Sequence, residues 1–542
     1  MLNYIWVALI ILGIGAALTT DIINSSTNRY KNGNPFNITI SFNEKIGVLP
    51  EGKQPAKIQV NSSSYNNFYN DRISSDLEFD AVVKINKDLT AGFISFKVDD
   101  NFPPIWKEMA ASGGKDELTG SIKLNERLAE NSYNAEIILE AVSFTKMKDV
   151  TNAVLEYAGT AVTIALGLIG IMALWLGVMK VAEEAGLIKI IAMSLKPFTK
   201  RLFPEIPSDH PAMSSMIMNI SANMLGLGNA ATPFGLKAME EMEKINQNKG
   251  TASNSMVTFL AINTAGLTLI PATAIAVRAA SGSSNPAIII GTTIFGALCA
   301  TVAGVTAAKI IEKFYLESWS FSEWFKKNLK FFGLVIVTVL TVVLFFITGL
   351  AGKVGELFSF ISAEGFKNVI EVVSKLAIPL LIVVFIGYGA IKKVKVYESF
   401  VEGAKEGFNI AIKIIPYLVA MLIAIGIFRA GGGMDWLIFI LQPITNLIGI
   451  PAEALPMALM RPLSGSGSLG IMSENLAVYG PDSFLGILVS TFYGSTETTF
   501  YVLALYFGAV NIKNTRHALQ VGLIADVAGI LGALFIVKLL FS

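Results

Sequence analysis

Residues 490–502 read STFYGSTETTFYV, with Glu497 at the centre of a hydroxyl run and apolar flanks on both sides. A carboxylate at mid-bilayer costs on the order of 2.5–3.5 kcal/mol on insertion scales, so it must face the interior and hold a partner, a proton or a ligand. Proton coupling, Na⁺ coordination and hydrogen bonding to a solute all fit Glu497. A second stretch, TFLAINTAGLTLIP (258–271), has the same polar centre without the acid. The candidate binding residues are Asn263, Thr264 and Thr268 there, and Ser495, Thr496, Glu497, Thr498 and Thr499 in 490–502. Each stretch is preceded by a glycine-rich break. NMLGLGNAATPFG (223–235) adds Asn223, Gly226, Gly228, Asn229 and Thr232, with Asn219 a turn earlier; RPLSGSGSLGIM (461–472) adds Ser464, Ser466 and Ser468. A glycine turn inside a membrane stops a helix and frees its end groups. Freed amides bind anions or carbonyl oxygens, and freed carbonyls bind cations. Any one of these hydroxyls could instead serve helix packing. The doubling of the pattern is what points to a binding site. Arg461 is the nearest obvious opposite charge for Glu497, whereas Glu474 reads as solvated at the outer end of its segment.

The elements that must position these residues are membrane helices. The 542-residue chain is 53% hydrophobic and 15% charged, against about 25% charge in a soluble domain. FFGLVIVTVLTVVLFFITGL (331–350) has no charge over a length that spans a bilayer. Further crossings are expected at 4–20, 158–179, 254–278, 285–308, 370–391, 411–430, 484–509 and 518–540. The stretches 212–240 and 453–480 are too broken by glycine, proline and polar residues to cross, and read as re-entrant hairpins. Residues 24–150 differ in kind: FNITISF (36–42), LEFDAVVKI (77–85), GFISFKV (92–98) and AEIILEAVSF (135–144) alternate with period two, as strands do. The first segment lacks a charged leader, so a membrane helix is expected over a cleaved signal peptide.

Charge sets the expected orientation. With the N-terminus inside, the inner loops hold nineteen Lys and Arg, against four in the outer connections between spans. That places 24–150 outside the cytoplasm. The same reading makes Lys392, Lys393 and Lys395 cytoplasmic anchors, and Glu183 and Glu184 dipole partners at the start of a basic interfacial helix. The membrane region also repeats. A span at 158–179, an amphipathic linker, a break and a polar-centred segment recur from 411 onward. The first linker carries Lys189, Lys196, Lys200 and Arg201, and the second has no Lys or Arg between Met434 and Pro451. The repeats are therefore expected to be inverted, as in many secondary transporters.

Other chemistries leave no mark. Net charge is +1, which gives no field for nucleic acid. The lone Cys299 cannot form an intrachain disulfide and reads as a structural thiol; His210 and His517 are too far apart to form a local metal pair. Walker A, HExxH and CxxC patterns are absent, and no GxGxxG opens a helix after a strand. No enzyme and no cofactor is expected, beyond coupling to Na⁺ or H⁺ through Glu497.

LGLGNAATPFGLKAMEEM and TFLAINTAGLTLIP resemble spore maturation protein A; YESFVEGAKEGFNIAIKIIPYLVAML, RPLSGSGSLGIM and the segment around YGSTETTF resemble spore maturation protein B. Both carry the nucleoside-recognition or Gate domain, which is similar to parts of concentrative nucleoside transporters and of the FeoB iron transporter. The resemblance implies a transporter-like core; it does not extend to 24–150, and no GTPase part is present. The expected fold is an all-α polytopic membrane protein with two inverted repeats, about nine transmembrane helices and two re-entrant hairpins, plus a small extracytoplasmic β-rich domain. Its expected segments are a first helix (1–22), the β-rich domain (23–150), an A-like repeat (151–330), linking helices (331–410) and a B-like repeat (411–542). The expected function is secondary transport of a nucleoside-like solute or small carboxylate, with Asn223, Asn229, Asn263 and Phe492 able to pair and stack a base. The alternative is a non-transporting envelope or spore-maturation assembly protein that docks through the outer domain. Expected partners are the lipid bilayer and a small polar solute, with a homo-oligomer and an envelope protein on 24–150 as further candidates. The expected location is the bacterial inner membrane.

Overall fold

The computed structural model describes residues 2–42, 53–85, 91–113, 116–129, 131–315 and 363–541. It forms two compact units. One comprises residues 5–157 and 423–439, and the other residues 1–4, 158–422 and 440–542.

In the former, helix α1 (Leu2–Ser26) leads into a closed antiparallel barrel. Its strands are β1 (Phe36–Phe42), β2 (Lys53–Val60), β3 (Leu77–Ile85), β4 (Ala91–Lys97), β5 (Glu117–Arg127) and β6 (Ser132–Leu139), and β6 pairs back onto β1. Helix α2 (Ser62–Tyr69) lies between β2 and β3, and α3 (Pro104–Gly113) between β4 and β5. Period-two alternation turns Ile40, Ile58, Val83, Ile94, Ile122 and Ile137 inward. Tyr65 and Trp106 from the two helices complete that core. Burial pushes the Tyr69 hydroxyl up to about 12, so this aromatic interior stays uncharged. Strands β2 and β5 were not anticipated. Small inward residues, Ala56 in β2 and Gly120 in β5, leave each strand few large apolar residues to mark the alternation.

The barrel's two connections meet. Asn32 Nδ2 donates to Val142 O (2.7 Å), and Val142 N donates back to Asn32 Oδ1 (3.0 Å). Asp21 then accepts from the amides of Lys146 and Met147, at 3.0 and 2.9 Å. These are first-turn donors of helix α4 (Thr145–Glu184), and a carboxylate there satisfies orphan N–H groups and the helix dipole. Ala17, Val150 and Ile427 pack together beneath.

The other unit repeats one order of elements. After α4 come α5 (Leu187–Leu202), the paired α6 (Pro211–Met224) and α7 (Gly228–Ile245), the interrupted α8 (Asn254–Ala265) and α9 (Ala272–Ala280), and α10 (Ile289–Tyr315). Helix α11 (Ala363–Ile391) follows. The order then recurs as α12 (Val396–Ala430), α13 (Gly433–Ile448), α14 (Leu455–Met460) with α15 (Gly465–Tyr479), the interrupted α16 (Phe484–Ser495) and α17 (Thr499–Ala509), and α18 (Ala518–Phe541).

Six helices among the described residues are long and apolar enough to cross a membrane. Of the other three expected crossings, 331–350 lies outside the described residues, and 254–278 and 484–509 are each two helices. The first breaks because Gly266 is left-handed (φ 57°) and Pro271 follows; the second because Thr496 is extended (φ −143°). Residues 396–410, expected as loop, continue α12, since only the turn at 392–395 interrupts the helix.

Helices α10 and α18 pack through small residues, as membrane helices do. A Cβ on Gly304 would stand 3.0 Å from the Ala525 methyl, and one on Gly529 would stand 3.1 Å from the Ala300 methyl. Two arginine clasps show the same exchange. Arg278, in the last turn of the first interrupted pair, bonds Pro481 O (2.6 Å) and Asp482 (3.0 Å), just before the second. Arg516, after the second, bonds Ala252 O (3.1 Å) and Asn254 (2.8 Å), at the start of the first.

Candidate functional site

The two interruptions touch. Glu497 N donates to Thr264 O (2.7 Å), and a Cβ on Gly266 would stand 2.8 Å from Glu497 Cγ. Only glycine supplies both that closeness and the positive φ. Each preceding helix pair leans on the interruption of its own half. Leu269 N donates to Met224 O (2.8 Å), at the end of α6; Phe500 N donates to Pro462 O (3.1 Å), just after α14.

Charge gathers at the second interruption. Arg461 is buried, and its Nη2 donates to the Thr496 carbonyl. The same nitrogen lies 3.6 Å from Glu497 Oε2, and the guanidinium stands 4.6 Å over the Tyr493 ring. The Glu497 side chain is 55% exposed. It opens into a cavity of about 230 Å³ with Arg461, Tyr493, Asn223, Gly226 and Thr268. Lys180 and Glu183 of α4, 3.2 Å apart, and Glu406 of α12 line the same space.

Amides gather at the first. Asn263 Oδ1 accepts from Asn223 Nδ2 (3.0 Å) and from the Tyr506 hydroxyl (3.2 Å). Asn219 Nδ2 donates to that hydroxyl (3.2 Å) and to Ala231 O (2.9 Å). One chain of side chains thus links α6, α7, α8 and α17.

Of the residues proposed from sequence, Asn223, Gly226, Thr268 and Glu497 line the cavity, and Asn263 stands behind Asn223. The hydroxyls of the second break serve the helix instead. Ser464 Oγ accepts from Gly467 N (3.0 Å) and caps α15, Ser466 Oγ lies 3.3 Å from it, and Ser468 Oγ donates back to Ser464 O (2.7 Å). Ser495 Oγ likewise bonds Thr491 O (2.6 Å). Thr264, Thr496 and Thr498 are buried; Thr499 is bonded to Asp526. Thr232 is half-buried on α7 and Gly228 opens that helix, while the Asn229 side chain lies outside the described residues.

Four readings change. Glu474 is fully buried within α15 rather than solvated, because α15 packs along α16. Phe492 is buried in the core away from the cavity, so Tyr493 is the aromatic that faces it. Glu183 and Glu184 end α4 and do not cap α5: Glu183 pairs with Lys180, and Glu184 accepts from Ser399 Oγ (2.5 Å). Cys299 is only half-buried, packed against Gly532. Asp526, in LIADVAG, was missed, although a lone carboxylate in an apolar helix is the signal that singled out Glu497. Lys180 and Glu406 were missed because they sit near helix positions that read as interfacial.

The nucleoside recognition family (Gate) matches residues 165–281 and 411–513. The chain is 54% identical to spore maturation protein B of Bacillus subtilis over 175 residues, covering 32% of this chain and 98% of that protein. It is 49% identical to spore maturation protein A of the same organism over 169 residues, covering 31% and 85%. Over 86 residues it is 33% identical to the inner membrane protein YjiG of Escherichia coli K12, covering 16% and 56%. No solved structure matches it.

Proposed function

The chain belongs to the nucleoside-recognition (Gate) family, with spore maturation protein A-like and B-like sequences joined in one polypeptide, and we propose that it is a secondary transporter of a small polar solute. The observation that carries this reading is the cavity where both interrupted helices, both preceding helix pairs and the Arg461–Glu497 pair converge. In this reading α6–α7 and α14–α15 are re-entrant hairpins, and the two halves are inverted repeats. The reciprocal packing of α10 on α18 and the two arginine clasps support a two-fold relation, since each half does to the other what the other does to it. Interrupted helices near the midplane are where secondary transporters bind solute and coupling ion. The cavity is smaller than the roughly 300–1,000 Å³ of drug-sized sites, and its lining mixes both charges with amides. That suits a nucleoside-like compound or a small carboxylate. On this reading the N-terminus lies in the cytoplasm and the barrel outside, in the bacterial inner membrane, as the Lys and Arg bias of the loops supports.

The test is a thermal-shift and uptake screen of the purified full-length protein with nucleosides, dicarboxylates and amino acids, with and without Na⁺. At least one solute should stabilise the wild type and be taken up by proteoliposomes, and Glu497→Gln and Asn263→Ala should weaken both effects. Unchanged binding and uptake in both variants would remove this site assignment.

A second reading, envelope assembly without transport, draws on the barrel, which has its own core and whose two chain connections are joined by the Asn32–Val142 pair. Replacing residues 33–141 by a short Gly-Ser linker separates the two readings. Transport should survive the replacement, and an assembly role should be lost.

A further inference from the structure

Helix α18 carries one carboxylate, Asp526, which is buried and does not line the cavity. Thr499 Oγ1 donates to its Oδ2 at 2.5 Å. The Thr496 side chain also acts on this carboxylate, yet Asp526 Oδ1, Thr496 Oγ1 and, on a side chain that packs against the same helix, Thr264 Oγ1 are fully buried with no hydrogen bond of normal geometry. Buried polar atoms are normally satisfied, and each orphan costs about 1–3 kcal/mol. Two glycines of α18 make the gathering possible. A Cβ on Gly522 would stand 2.6 Å from Thr499 Cγ2 and 3.6 Å from Thr264 Cγ2, and one on Gly529 would stand 2.5 Å from Thr496 Cγ2. Ala265, Ala300 and Ala525 form an apolar wall beside them. Helices α8 and α16 both end here, so two negative dipole ends face the same space. The charged groups that act on Asp526 are Arg461 and Glu497. Arg461 is committed to the other side of Thr496, at its carbonyl.

We propose that Asp526, Thr264, Thr496 and Thr499 form a binding site for a small alkali cation, Na⁺, separate from the solute cavity. One carboxylate and three hydroxyls are hard oxygen ligands of the kind such a cation takes, and the two helix ends add favourable potential. Thr496 joins the two sites. Its side chain faces α18 while its carbonyl holds Arg461, so a cation beside Asp526 fixes the backbone that orients Glu497. The coupling role rests on the transport reading; cation binding does not.

Equilibrium binding of radioactive Na⁺ to the purified full-length protein in nanodiscs, with choline as the balancing cation, tests the site. The wild type should bind saturably and Asp526→Asn should lose binding. Thr499→Ala and Thr496→Ala should bind about tenfold more weakly or worse. Glu402→Gln, an exposed carboxylate on α12, should match the wild type. Absence of Na⁺ binding by the wild type overturns the proposal, as does wild-type affinity in Asp526→Asn. Should Asp526→Asn fail to fold, unchanged affinity in folded Thr499→Ala overturns it equally. Na⁺ binding that survives when no solute stabilises the protein would sink the transport reading and leave this site standing.

Discussion

The first interrupted helix is held by amides and the second by charge. At the first, Asn263 sits at the centre of a neutral network with Asn223, Tyr506 and Asn219. At the second, buried Arg461 bridges a backbone carbonyl and Glu497, with Asp526 on the far side. The backbone plan is shared, down to the amide beside each interruption that bonds the turn between the two preceding helices. On the transport reading the side chains differ because the tasks differ. A neutral amide network keeps the same bonds whatever the ionic surroundings, and so suits a fixed wall. A guanidinium in low dielectric depends strongly on its counter-charges, so its surroundings respond to whatever enters. On the transport reading, the second half is the responsive one.

The largest expected effect breaks the charged half. Arg461→Met removes the donor to the Thr496 carbonyl and the counter-charge of Glu497, and should cost about 3 kcal/mol, read as a lowered thermal midpoint in detergent. Glu497→Gln keeps the Arg461–Thr496 bond and is half-exposed to the cavity, so its stability cost should stay within about 1 kcal/mol. Solute affinity should nevertheless fall sharply. Equal destabilisation by both variants would mean that Glu497 is a structural partner rather than a ligand.

Next comes the neutral half. Asn263→Ala should cost about 1–2 kcal/mol, since the Tyr506 hydroxyl keeps Asn219 and the Asn223 amide can turn to the cavity. A double-mutant cycle with Tyr506→Phe should show coupling of about 0.5–1 kcal/mol, whereas Asn263→Ala combined with Arg461→Met should be additive. Strong coupling in the latter pair would join the two halves into one network. The helix interface sharpens the same contrast. A methyl on Gly304 crowds the Ala525 methyl at 3.0 Å, with Ala261 at ordinary contact distance, but one on Gly529 meets both the Ala300 methyl and, at 2.5 Å, Thr496 Cγ2. Gly529→Ala should therefore lose about 1–2 kcal/mol by overpacking and Gly304→Ala clearly less, in paired melting curves.

Much of this was legible in the sequence, and the rest was hidden for physical reasons. The glycine-rich breaks, the paired polar centres and the importance of Glu497 follow from the cost of polar groups in a bilayer, which leaves few explanations for such residues. Strands β1 and β3 announced themselves by apolar alternation, while the proline and the small inward Ala56 of β2 weakened the same signal. Whether a polar segment ends a helix is harder to read. YGSTETTF fits a continuous helix by composition, and its break depends on Glu497 N finding Thr264 O, a partner more than two hundred positions away. The Arg461–Glu497 contact and the gathering of threonines on Asp526 are long-range in the same way. Serine hydroxyls misled in the opposite sense, because a cap and a ligand have the same composition.

Ser464 resolves that last ambiguity, with the smallest expected effect. The turn between α6 and α7 has no side-chain cap, Leu227 standing at that position, whereas Ser464 Oγ accepts from Gly467 N at the start of α15. Ser464→Ala should therefore cost about 1 kcal/mol, and Ser464→Gly, which frees the amide to other partners, only a few tenths. The hydroxyl points into its own helix end and is absent from the cavity lining. Solute affinity should then be the same in both variants and the wild type, once each is measured well below its melting temperature. A parallel loss of affinity in both, beyond what the stability change explains, would show that the second turn offers its hydroxyl to the solute. The halves would then differ in where they bind, and no longer only in how they are held.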